Sequence, residues 1–93
     1  MLIRSQYKHN LVNINTINGL GITEYGTYKI YALVNGGQYL MGEYSTEEKA
    51  LKVLDMIEAR TNEPIYINDE GNGEYAKYFH SSFRMPQDDE VEL

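Results

Sequence analysis

The chain has no cysteine and no tryptophan, only two prolines, and only three arginines (Arg4, Arg60 and Arg84) among its 93 residues. Without cysteine there is neither a disulfide framework nor a thiolate metal site. No apolar run reaches the ~18 residues that a membrane-spanning helix needs, and no secretory leader is recognisable. The expectation is a soluble, cytoplasmic protein of one domain. The two histidines, His9 and His80, are not spaced as a ligand pair, so a zinc site would have to borrow carboxylates from distant segments. There is no G-x-S-x-G, no G-x-x-x-x-G-K-[ST] and no G-x-G-x-x-G. The chain is therefore not expected to be an enzyme or to carry a cofactor. Net charge is −6, but Asp88, Asp89, Glu90 and Glu92 supply four of the negative charges, and the rest of the chain carries −2. A nearly neutral body with so few cations argues against duplex nucleic acid as a partner.

What is present begins with Gly42 to Arg60, GEYSTEEKALKVLDMIEAR, which predicts the end of a strand and one helix from Thr46 to about Arg60. Ser45 with Glu48 three residues later reads as a capping box. Glu47 and Glu48 sit at the positive end of the helix dipole and Arg60 at the negative end. Glu48 and Lys52 are spaced as an i,i+4 pair. Ala50, Leu51, Val53, Leu54 and Ile57 form the apolar stripe. Thr27 to Val34 alternates as a strand, and Asn35-Gly36 is a two-residue hairpin turn of type I′. That turn sets Ala32 opposite Tyr39, Tyr31 opposite Leu40 and Ile30 opposite Met41, on a return strand from Gln38 to Tyr44. Met1 to Ser5 reads as an edge strand, Leu11 to Ile17 as an alternating segment broken by Asn18-Gly19 and Gly21, and Thr23 to Gly26 as a polar connection. Ile65 to Ile67 is a short strand, Asn68 to Gly73 a loop, Glu74 to Phe79 one or two helical turns, and Ser82 to Met85 a last strand stopped by Pro86. The whole is an α+β domain: a small antiparallel meander of four to five strands with one main helix on one face. It spans residues 1–87, with an acidic tail at 88–93.

Two features of composition bear on function. Nine tyrosines and two phenylalanines are many aromatics for a short chain. Tyrosine suits both half-exposed sheet faces and interfaces. A chain this short has a thin core, which oligomerisation would thicken, so a homo-oligomer is expected. Asn68-x-Glu70-x-Asn72-Gly73 has oxygen ligands at alternate positions, as a calcium loop does. The twelfth position holds Phe79 where a bidentate glutamate belongs, so a plain turn is the better reading. Tyr78, Phe79, Phe83 and Arg84 lie close together in YFHSSFRMP. An aromatic face that stacks a base beside a guanidinium that clamps a phosphate would serve a nucleotide ligand. The same residues read structurally as a strand with Phe83 in the core and Arg84 in a salt bridge.

Three pieces in this order, Ile3 to Gln6 (IRSQ), Gly42 to Ile57 and Phe83 to Leu93 (FRMPQDDEVEL), resemble a family of small phage and prophage proteins of Gram-positive bacteria. They cover roughly a third of the chain. The family is similar to the sponge proteins that defeat Thoeris defence by sequestering cyclic ADP-ribose isomers made by its TIR enzyme. The resemblance implies a phage anti-defence protein that binds a cyclic nucleotide signal, a cyclic ADP-ribose isomer or a cyclic oligonucleotide, without catalysis. It implies an oligomer that holds the ligand with arginines and an aromatic ring. Phe83 and Arg84 match the family ending, Arg60 lies where the helix presents a second arginine, and Arg4 falls in the matching N-terminal piece. With Tyr78 and Phe79 these are the candidate ligand-binding residues. The stretch between Thr61 and Ser82 is shorter than in the better-known members. Two other readings use the same sequence: a protein-binding inhibitor such as an acidic anti-CRISPR, supported by the tail and the tyrosines, and an accessory phage protein without a ligand.

Overall fold

The computed structural model describes residues 1–62, 64–69, 74–79 and 82–93, and the side chains of 1–61 and 82–93. In chain order the elements are β1 (Leu2–Arg4), β2 (Leu11–Asn13), β3 (Gly19–Tyr25), β4 (Thr27–Val34), β5 (Gly37–Tyr44), α1 (Glu47–Asn62), β6 (Pro64–Asp69), β7 (Glu74–Phe79) and β8 (Ser82–Arg84). A 3₁₀ turn at Asp88–Glu90 follows. The α+β class holds, with the described strands divided among sheets β2-β1-β8, β3-β4-β5 and the hairpin β6-β7. One core serves the first two sheets. Ile3, Val12 and Phe83 face inward from one sheet, and Ile30, Ala32, Met41 and Tyr44 from the other. Ala50, Val53 and Ile57 of α1 join them, with Met85 and Val91 from the C-terminal segment.

β4 has the limits that its alternation predicts. The turn after it does join Val34 to Gly37 through Asn35-Gly36, with Ala32 opposite Tyr39 and Tyr31 opposite Leu40. Two details differ from expectation. Gly36 has φ +85°, but Lys8 is the one non-glycine with positive φ among the described residues, so the turn has the single positive φ of type II. A bulge between Ile30 and Tyr31 then sets Ile30 opposite Gly42, so Met41 becomes the extra residue.

The largest departure is β3. The strand runs through Gly19 and Gly21 and on to Tyr25, where breaks and a polar connection were expected. Leu33 and Tyr31 stand opposite the two glycines, so bulky cross-strand neighbours lie beside the missing side chains. The reversal into β4 is made at Gly26 alone, at φ +74°, in the left-handed region that glycine adopts at no steric cost. β1 is not an edge: β2 pairs with it antiparallel on one side and β8 parallel on the other. β2 stops at Asn13, whose side-chain oxygen accepts the Asn15 N–H at 3.0 Å in an Asx turn. Glu74–Phe79 is a strand and not helical turns; with Ile65, Tyr66 and Ile67 in the facing strand β6, it has a partner rich in β-formers. Residues 70–73, which carry most of the calcium-like spacing, lie outside the described residues, as does His80.

The helix cap also moves by one residue. Thr46, not Ser45, accepts the Lys49 N–H at 3.2 Å through its hydroxyl, so the Ser45–Glu48 capping box does not form. Ser45 is drawn away by the C-terminal segment: its N–H and its hydroxyl both donate to Asp88 Oδ1, at 2.8 and 3.1 Å. Lys49 completes this latch, donating to the Asp88 carbonyl at 2.9 Å and pairing with its carboxylate at 3.5 Å. That is the one ion pair among the described residues, so Glu48 and Lys52 do not form theirs. Leu51 leaves the stripe and is 46% exposed.

The Ser45 N–H, with the Ser45 hydroxyl and Lys49, holds the Asp88 carboxyl below its ordinary pKa, against partial burial that raises it. A depressed carboxyl stabilises the fold above its unfolded pKa of about 3.9, and that contribution is lost as pH falls through the folded value. Wild-type thermal stability should therefore fall more steeply below about pH 4 than that of Asp88→Asn. Melting curves taken across that range check this; parallel acid limbs would show that Asp88 does not hold the tail through its charge.

Candidate ligand-binding site

Alternation in the short sheet sorts its residues cleanly. Val12, Ile3 and Phe83 form one inward row across β2, β1 and β8. The neighbouring rows, Leu11–Arg4–Arg84 and Asn13–Leu2–Ser82, consist of exposed residues facing outward. The parallel pairing of β1 with β8 thus sets Arg4 and Arg84 side by side, though they are 80 positions apart in the chain. On this outer face lies a cleft of about 780 Å³, lined by Leu2, Arg4, Lys8, Leu11, Met56, Arg60, Ser82, Phe83 and Arg84.

Each cation arrives by a different route. Arg4 is anchored by its Nη1, which donates to the Lys8 carbonyl at 3.2 Å. Lys8 itself sits in the β1–β2 turn at φ +66°, in the left-handed region. Arg60 comes from the last turns of α1, one turn beyond Met56. Its Nη2 donates to the Ser82 carbonyl at 3.4 Å, and its guanidinium carbon is 6.0 Å from the Phe83 ring centre. Its Nε is buried without a hydrogen-bond partner among the described residues. Arg84 is exposed and forms no ion pair among the described residues, which departs from the salt-bridge reading of that position.

The charge distribution is lopsided. Four of the chain's eight lysines and arginines line this cleft, and no aspartate or glutamate does among the described residues. Like charges on adjacent strands repel, so Arg4 beside Arg84 is unfavourable until an anion sits between them. Leu2, Leu11 and Met56, each more than a third exposed, provide apolar surface among the cations. Such a lining suits a ligand with phosphate charge and an apolar or planar part.

Of the residues predicted from sequence, the fold brings Arg4, Arg60, Phe83 and Arg84 together. Phe83 is only 7% exposed, so its ring belongs to the core and lies beside Arg60 rather than offering an open stacking face. Tyr78 and Phe79 fall in β7 opposite Ile65 and Pro64, and their side chains lie outside the described residues. Sequence reasoning missed Lys8, Leu2, Leu11 and Met56. For Leu11 the signal was its place on the Asn-rich side of an alternating segment; for Lys8 there was none.

No protein-family model matches the chain, and no curated protein or solved structure matches it. No helix among the described residues is long and apolar enough to cross a membrane.

Proposed function

We propose that the protein binds a phosphate-bearing nucleotide in this cleft and holds it unchanged. In the setting that the sequence resemblance implies, it is a phage anti-defence protein that sequesters a cyclic nucleotide immune signal, a cyclic ADP-ribose isomer or a cyclic oligonucleotide, in the host cytoplasm. The observation that carries the reading is the gathering of half the chain's cations on one cleft with no carboxylate among the described residues, in a protein of net charge −6. Sequestration asks for affinity and abundance, and for no interaction that is stronger in a transition state than in the ground state. The direct test is to incubate the protein with the product of a TIR enzyme, remove free ligand, release what is bound by heat and identify it by mass spectrometry. Chemically unchanged ligand in stoichiometric amount supports the reading; an empty protein, or a released product of altered mass, overturns it.

Arg84 provides the finer prediction. A guanidinium fork donates to two phosphate oxygens at once, and a charge-assisted hydrogen bond contributes about 1.5–3 kcal/mol. Arg84→Ala should weaken ligand binding by about tenfold to a hundredfold. Arg84→Lys should recover only part, because a point charge does not reproduce the planar fork. Since Arg84 is exposed, neither variant should melt far from wild type. Calorimetry on the three proteins decides: equal affinities would remove Arg84 from the site.

A further inference from the structure

The two edges of sheet β3-β4-β5 are treated differently. The outer edge of β5 is sealed from within the chain. The Gln6 N–H donates to the Met41 carbonyl at 2.9 Å, and Gln6 Oε1 accepts the Glu43 N–H at 2.7 Å. Gln6 Nε2 donates to the Glu43 carbonyl at 3.2 Å, and Asn10 Nδ2 to the Leu40 carbonyl at 3.2 Å. Among the described residues, the outer edge of β3 has no neighbouring strand in its sheet. It carries none of the usual guards either: there is no lysine, proline or bulge along Gly19–Tyr25, and Glu24 is its one charge. Tyr25, at its end, is 82% exposed, the most exposed of the large hydrophobic side chains described.

We propose that two copies of this chain pair antiparallel along β3, about a twofold axis at Gly21, joining their sheets into one continuous sheet. The sequence of the edge complements itself in this register. Leu20 stands opposite Ile22 of the second copy, and both already pack against the core from the sheet's inner side. One step past the strand, Asn18 meets Glu24 of the second copy. Gly21 faces itself across the axis. Moving the axis to Ile22 would set Leu20 against the Glu24 carboxylate, and moving it to Thr23 would do the same to Ile22. The sealed β5 edge makes the assembly finite: with one open edge in this sheet, pairing closes at two copies and does not propagate. The dimer is independent of what the cleft holds.

The same glycine supplies the test. Gly21 points to the outer face, away from Ile30 and Ala32, and a side chain placed there would meet Leu33 Cδ1 only at an ordinary 3.8 Å. Gly21→Lys should therefore leave the monomer fold intact while setting two ammonium groups opposite each other in the dimer. Sedimentation velocity of wild type at high micromolar concentration should show a dimer. Gly21→Lys and Gly21→Glu alone should each raise its dissociation constant at least about tenfold, and an equimolar mixture of the two should recover a dimer. A wild-type monomer at that concentration overturns the proposal. So does a Gly21→Lys protein that dimerises as well as wild type, or a mixture that fails to recover dimers while circular dichroism shows both variants folded. If either variant proves unfolded, protection of the β3 amides against hydrogen exchange, followed on dilution of wild type, decides. Protection lost as the dimer dissociates supports the pairing; protection unchanged by dissociation overturns it.

Discussion

Gln6→Ala should lower the melting temperature by more than ten degrees. Gln6 is 8% exposed, and its side-chain amide acts as one more peptide unit alongside β5, accepting from the Glu43 N–H and donating to the Glu43 carbonyl. The same Nε2 donates to the Pro86 carbonyl at 2.9 Å, and the Gln6 carbonyl accepts from Gln87 Nε2 at 3.1 Å. Truncation to alanine leaves the Glu43 groups without these partners and opens a void between three segments. A buried polar group left unpaired costs about 1–3 kcal/mol, and the void adds to that. A loss of about 3 kcal/mol corresponds to about 12–24 °C in a domain of this size. Gln6→Glu separates hydrogen bonding from shape. Near neutral pH its carboxylate would face two carbonyls with nothing to donate, so it should be no better than alanine. Its folded pKa would be raised, so any stability it regains is present below the unfolded value of about 4.3 and lost as pH rises through the folded one. Thermal melts at pH 7 and pH 4 check both arms. A fall of less than about 4 °C for Gln6→Ala, equivalent to under about 1 kcal/mol, would show that water replaces the amide without loss.

Gly42→Ala should be nearly as damaging, for the opposite reason. A Cβ at this position would lie 2.9 Å from Tyr44 Cε2, 3.0 Å from Tyr44 Oη and 3.1 Å from Met85 Cε. The ring cannot swing aside freely. Tyr44 is 1% exposed, its hydroxyl donates to the Pro86 carbonyl at 2.8 Å, and Met85 is 1% exposed. Burial raises the Tyr44 phenol far above its ordinary pKa, so the hydroxyl keeps the proton it donates. Overpacking of this kind costs about 1–3 kcal/mol for a methyl group, and Gly42→Val should exceed it. The mechanism predicts coupling: in a Tyr44→Ala background the space above residue 42 is open, and Gly42→Ala should cost at least about 1 kcal/mol less than in wild type. Equal losses in both backgrounds, measured by denaturant unfolding, would place the strain in the backbone and not in the ring.

These two residues mark where the sequence could and could not be read. β4, the Asn35-Gly36 reversal and α1 are local: alternation, a turn dipeptide and a helical stripe lie within a few residues of the structure they specify. Gln6 reads as part of a polar turn because the strand it seals lies 37 positions away. Ser45 reads as a cap because the serine comes before the acidic helix start, and only Asp88, 43 positions on, takes it out of that role. Gly19 and Gly21 look like breaks until Leu33 and Tyr31 are set opposite them. The cleft divides in the same way. Arg84 and Phe83 stood out by type, but nothing local indicates that β8 returns parallel to β1, and that register is what puts Arg84 beside Arg4.

The β1–β8 pairing has a consequence for how the protein is made. β1 leaves the ribosome 80 positions ahead of β8, so their sheet can close only after β8 has emerged. Joining such distant segments carries a large loop-closure entropy and slows folding relative to a chain of local contacts. The β3–β4–β5 meander and α1 can form earlier and wait, with Ile3 and Val12 still without Phe83 beside them. Arg4 and Arg84 come together only in that step, so a nascent chain that has not yet released β8 would lack the cationic cleft even with its meander and helix in place.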